Sequence, residues 1–336
     1  MSADQKSYWQ IGISLVSRRF RSMEQGPKKR TRWSPLSPGR MLFWACVLLL
    51  TIGIGVGLRA EIHRRVSRFG GTVSGTYAHR GGTLLIVGGG QMSDMIRQQF
   101  VELAGRQQAR IVVVPAMAID ENERLEYREP WCNYDVQAVD VLHADSRAEA
   151  DDPDFSAILD SATGVWLAGG QQSWLAARYG RTPVETRLKK LLSRNGVIGG
   201  TSAGAAIMSN VMIAGGRANP LMGQGFDLIP GAIIDQHFMK RNRYRRLHQA
   251  LEQHPELIGF GIDEGTALRY GVESGRFRVI GQSCVVACIP PSESNHYTSF
   301  HLEFLNPGDE FDVERLRQGE MVPPSSIDLD AILPGE

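Results

Sequence analysis

The stretch Asn195-Gly196-Val197-Ile198-Gly199-Gly200-Thr201-Ser202-Ala203-Gly204-Ala205-Ala206 decides how this chain folds. Asn195-Gly196 is a turn signal, Val197-Ile198 opens a β-rich run, and the small residues from Ala205 onward suit a helix. Strand, sharp glycine turn and helix in that order form the context of a G-x-S-x-G elbow. Glycines on both sides of the serine let the backbone turn tightly, so that its hydroxyl projects at the carboxyl end of a sheet. Taken alone, the motif equally fits a glycine-rich turn whose serine merely caps a helix.

The same alternation recurs on the N-terminal side. Thr83-Leu84-Leu85-Ile86-Val87 ends in Gly88-Gly89-Gly90, and Met92, Ile96, Phe100 and Leu103 follow at helical spacing. The run from Arg110 is β-rich, and Pro115 is expected to end it because proline cannot donate within a central strand. Residues 136–142 and 164–168 supply two more strands, the second entering Gly169-Gly170 and a helix that begins near Ser173; residues 188–192 close another helix. Downstream, 258–262, 268–270, 277–280 and 285–289 read as further strands, with Gly271 and Gly275 marking a hairpin turn. Near-continuous apolar strands interleaved with helices predict an α/β domain over 81–336. The expected core is a mostly parallel sheet covered by helices on both faces.

The preceding residues differ in character. Residues 1–40 form a basic arm in which Lys6, Arg18, Arg19, Arg21, Lys28, Lys29, Arg30, Arg32 and Arg40 face only Asp4 and Glu24. No aromatic-interleaved basic stripe follows, so nucleic acid is not an expected partner. Residues 41–58 are uncharged and bounded by Arg40 and Arg59, near the lower length limit of a spanning helix. They are read as a transmembrane or signal-anchor segment, joined by a linker over 59–80 to the α/β domain. The basic arm favours an orientation that leaves this domain outside the cytoplasm, membrane-anchored or exported. Leu58-Arg59-Ala60 makes a poor cleavage site, which favours an uncleaved anchor.

A serine nucleophile needs an imidazole to take its proton and a carboxylate to orient that imidazole. His237, in Asp235-Gln236-His237-Phe238 after the apolar Ala232-Ile233-Ile234, occupies a strand end. His248 and His254 fall in a charged helical stretch, and His79, His296 and His301 lack a comparable setting. Gly261-Ile262-Asp263-Glu264-Gly265 brings two carboxylates to another strand end; ordinary turn chemistry also explains Asp263. The order serine, histidine, acid differs from that of the α/β-hydrolases. Gly88-Gly89-Gly90 lacks the spacing of a dinucleotide fingerprint and a P-loop lysine. With Cys46 in the apolar segment, Cys132, Cys284 and Cys288 show no zinc-like spacing, and the last two read as core thiols.

Four ordered motifs, Gly169-Gly170-Gln171-Gln172, Gly200-Thr201-Ser202-Ala203-Gly204, Asp235-Gln236-His237-Phe238 with spaced arginines after it, and Gly261-Ile262-Asp263-Glu264, resemble the cyanophycinase-like serine peptidases of family S51. The likeness runs from about Gly82 to the end region. It implies a flavodoxin-like, class I glutamine amidotransferase-like fold and a triad of Ser202, His237 and Glu264. It further implies an oxyanion hole from the N–H groups of Gly170 and Ala203, and no metal or cofactor. Gln172, Asp235, Gln236, Arg241, Arg243 and Arg246 take the family's substrate-binding positions, holding an aspartyl residue at the scissile bond; a guanidinium fork suits such a carboxylate. Gln171 departs from the acidic or asparagine residue expected there. The expected reaction is hydrolysis of aspartyl or β-aspartyl peptide bonds. The alternatives are an α-aspartyl dipeptidase-like exopeptidase and a non-catalytic membrane-anchored binding protein on the same fold. Expected partners are a peptide substrate and, through 41–58, the membrane, with a homodimer as the assembly to test for.

Overall fold

The computed structural model describes residues 81–320. The arm, the 41–58 segment, the 59–80 linker and the tail from Met321 lie outside them. Among the described residues no helix is long and apolar enough to cross a membrane.

Strand β1 (Thr83–Val87) is buried along its whole length. Leu84 and Ile86 point into one core and Leu85 and Val87 into another, the two-sided burial of a central strand. Beside it run β2 (Arg110–Ala116), β3 (Ala138–Val141), β4 (Gly164–Gly170) and β5 (Val197–Thr201), all parallel, in the order β1-β5-β4-β2-β3. Pro115 does not end β2; the strand passes through it to Ala116 with a register shift between Val114 and Ala116. The bulge takes up the missing N–H.

The parallel reading holds for these five strands and is corrected for the rest. The other edge of β1 pairs antiparallel with β10 (Thr266–Gly271), which continues antiparallel through β11 (Arg276–Gly281) to β14 (Glu310–Asp312). A second sheet, ordered β13-β12-β9-β8, holds β8 (Ala232–Gln236), β9 (Ile258–Ile262), β12 (Val285–Ile289) and β13 (His301–Leu305), with only β8 and β9 parallel. The hairpin of β6 (Val211–Gly215) and β7 (Leu221–Gln224) carries no apolar alternation strong enough to be read from sequence.

Helices cover both faces of the large sheet. On one, α1 (Asp94–Leu103), capped by Ser93, buries Ile96, Phe100 and Val101, and α2 (Glu121–Cys132), opened by an Asp120/Glu123 capping box, contributes Trp131. Phe100, Trp131 and Trp166 meet at ring-centre distances of 5.0 to 5.1 Å. On the other face lie α4 (Gln172–Tyr179) and α5 (Pro183–Ser193), after the single turn α3 (Arg147–Ala150). The small sheet packs there too: Ile234, Phe260, Ile262, Val285 and Ile289 join the same core. Its outer face, with Ile233, Val286 and Cys288, is closed by Leu247, Ala250 and Leu251 of α7 (Tyr244–Gln253). Burial pushes the Cys288 thiol up to about 12, as expected of an inert core thiol. The short helices α6 (Ala203–Ala206) and α8 (Val313–Arg317) follow β5 and β14. In register, Gln236 lies opposite Ile262, so the residues that leave β8 and β9 emerge side by side.

Candidate active site

Ser202 ends the tight turn between β5 and α6 with φ 53° and ψ −107°, a strained conformation for a residue with a side chain. The turn needs its glycines: a Cβ on Gly200 would lie 2.4 Å from the Gly204 carbonyl oxygen, and one on Gly204 would lie 2.0 Å from that of Leu167. The Ser202 N–H donates to the Val87 carbonyl at 3.1 Å, which ties the turn to the end of β1.

Ser202 Oγ stands 2.8 Å from His237 Nε2, and His237 Nδ1 stands 2.6 Å from Glu264 Oε1. A carboxylate can only accept, so the Nδ1 proton faces Glu264 and Nε2 is free to accept from the serine hydroxyl. Burial, the largest influence, pushes the His237 imidazole below the ordinary histidine range. Arg241 and Arg243 act in the same direction, and Glu264 opposes them. The ring is therefore neutral, and able to act as a base, at neutral pH.

Of the two carboxylates that spacing left open, Asp263 is engaged elsewhere. Its Oδ1 accepts from the Lys240 N–H at 3.0 Å and its Oδ2 from the Ser283 hydroxyl at 2.9 Å, tying the end of β9 to the turn after His237. Gly88-Gly89-Gly90 also finds its role here. The His237 N–H donates to the Gly88 carbonyl at 2.6 Å, and that of Gly265 donates to Gly89 at 3.1 Å. A Cβ on Gly89, whose φ is +101°, would lie 2.4 Å from His237 Cε1, and one on Gly90 2.9 Å from Glu264 Oε2. Sequence reasoning missed this floor because its partners lie far along the chain; the surviving signal is three glycines at a strand end with no phosphate motif to explain them.

Ala203 opens α6, where first-turn N–H groups have no acceptor within the helix. Gly170 ends β4 at φ +147°, and a Cβ on its neighbour Gly169 would stand 3.7 Å from Ser202 Cβ, which brings this strand end against Ser202.

The six residues at the substrate-binding positions separate into two groups. Arg241 and Arg243, with Gly216 and Arg217, line a cleft of about 580 Å³. The others lie behind it. Asp235 is fully buried and accepts from Arg246 Nε at 3.0 Å and from Arg246 Nη2; Arg246, itself buried, also donates to the Gly216 carbonyl at 2.7 Å. Arg243 Nη1 reaches Gln236 Oε1 at 2.8 Å and Asp235 Oδ1 at 3.4 Å. Gln172 donates its amide to the Ile213 carbonyl at 2.9 Å. Asp235, Gln236 and Arg246 thus hold Arg243 and Gly216 of the cleft lining, while Gln172 is bonded to β6, a distinction that composition cannot make between arginines a few residues apart.

The family model described as Peptidase family S51 matches residues 84–278, the span holding these groups. The cyanophycinase of Synechococcus elongatus is 32% identical over 248 residues, covering 69% of this chain and 76% of that protein. The cyanophycinase of Geminocystis herdmanii is 32% identical over 231 residues, covering 65% and 83%. A peptidase from an acI-B1 actinobacterium, 21% identical, superposes with a TM-score of 0.55 over 70% of this chain and 98% of its own, a likeness of fold.

Proposed function

The chain belongs to peptidase family S51 and is a serine-type peptidase, and on that footing we propose that it hydrolyses aspartyl or β-aspartyl peptide bonds with Ser202 as nucleophile. The observation that carries the reading is the continuous file from Ser202 Oγ through His237 to Glu264, at 2.8 and 2.6 Å. His237 Nε2 takes the serine proton as Oγ attacks the scissile carbonyl, and Glu264 stabilises the imidazolium that forms. The N–H groups of Ala203 and Gly170 meet the developing oxyanion, each such donor contributing roughly 2.7 to 4 kcal/mol. His237 returns the proton to the leaving amine, and the acyl-enzyme on Ser202 is opened by water, with His237 again as base.

The positively charged cleft lined by Arg241 and Arg243, in the segment that follows His237, supports an acidic residue next to the cleaved bond. The relatives named cyanophycinase make cyanophycin one candidate; a free α-aspartyl dipeptide is the other. With residues 41–58 as an anchor, the substrate is met outside the cytoplasm. Incubation of wild type and Ser202→Ala with cyanophycin, β-Asp-Arg-ended peptides and α-Asp dipeptides tests the reading. Cleavage of one class by wild type alone is the expected result, and equal cleavage by both proteins refutes it.

A further inference from the structure

The cleft lined by Arg241 and Arg243 has a further lining side chain that the motifs do not mention. Arg217 is exposed on the turn joining β6 to β7 and faces the same 580 Å³ space as Arg241 and Arg243. That turn is held in place. Gly216 adopts φ +89° where a Cβ would strike the Asn219 carbonyl at 1.9 Å, and the Gly216 carbonyl accepts from buried Arg246 at 2.7 Å. The Asp235 pair that anchors Arg246 therefore also fixes the loop on which Arg217 stands.

Charge around the cleft is unbalanced. The single carboxylate of Asp235 serves both Arg243 and Arg246, while Arg241 and Arg217 have no acidic partner among the described residues. Burial brings the Arg243 guanidinium down to about 10; Asp235 opposes the shift, and Arg246 and Arg241 add smaller contributions in the lowering direction. One substrate carboxylate leaves part of this charge unmatched.

We infer that Arg217 is a specificity-determining residue that gives the cleft a seat for a second carboxylate, so that preferred substrates carry two anionic groups, one on the aspartyl residue and one adjacent to it. This rests on the aspartyl-peptidase reading and extends it. The second carboxylate has two possible sources, a free chain terminus or a neighbouring acidic side chain, and both present the planar oxygen pair a guanidinium binds bidentately.

The test is binding, by calorimetry, to the full chain carrying Ser202→Ala. Four peptides are compared: Ala-Asp-Ala amide, its free acid, Ala-Asp-Glu amide and Glu-Asp-Ala amide. At least one of the three two-carboxylate peptides should bind about tenfold or more tightly than the single-carboxylate amide. Adding Arg217→Gln should remove that preference to within about twofold and leave the single-carboxylate amide unchanged, with Arg217→Lys restoring part of it. A preference for the free acid assigns the terminus; one for a glutamyl peptide assigns the side chain. No preference, no binding of any peptide, or equal weakening of all four by Arg217→Gln overturns the inference. The catalytic reading fails separately, through cleavage kinetics in which Ser202→Ala matches wild type.

Discussion

At the scale of single residues, the proposed function turns on the file from Ser202 through His237 to Glu264. Because burial and the nearby arginines lower the His237 pKa, the base is neutral above that value and lost as pH falls through it. The acid limb of kcat/KM should therefore have its midpoint below the ordinary histidine value of about 6.5. Arg241→Ala removes one of the charges that lower it, so the midpoint should move upward in a pH–rate profile of that variant. Glu264→Gln keeps the shape of the acid but not its charge or its pure acceptor character, and should lower kcat by about 10³ to 10⁴-fold in steady-state assays. Asp263→Asn should cost far less, since Asp263 holds Lys240 and Ser283 rather than the imidazole. Ser202, His237 and Glu264 were legible because each stands at a strand end beside a glycine or in a short recognisable motif. Spacing alone did not choose between Asp263 and Glu264, since both flank the same turn and only the direction of each side chain separates them; the family resemblance made that choice.

At the scale of elements, the site is the meeting of two sheets. β5 delivers Ser202 from the large sheet; β8 and β9, parallel neighbours in the small one, deliver His237 and Glu264. The loop after β1 underlies both deliveries, so Gly89→Ala should push the imidazole off Ser202 and reduce kcat about 100-fold or more, since small misplacements of reacting groups cost that much. Single-turnover kinetics with circular dichroism would separate this from unfolding. Arg246→Ala leaves Asp235 buried with only Arg243 at 3.4 Å, and should lower unfolding free energy by about 3 kcal/mol or more in urea titration. The parallel half of the large sheet could be read from its continuous apolar runs. The separate small sheet could not, because strand pairing beyond the first neighbours depends on contacts that periodicity does not encode.

At the scale of the whole molecule, the N-terminal residues carry their own proposal. The 41–58 segment, proposed as an anchor, makes a direct prediction: the full chain should sediment with membranes after alkaline carbonate extraction, and deletion of 1–58 should release active enzyme. Recovery of the full chain in the soluble fraction would argue against an anchor. The central claim, that Ser202 is a nucleophile activated by His237 and Glu264, is tested most directly by a fluorophosphonate probe followed by peptide mass spectrometry. One adduct on Ser202 is expected, absent from Ser202→Ala and strongly slowed in a His237→Ala variant that retains its fold. A folded wild-type protein that takes no label, or one labelled at another serine, would contradict it.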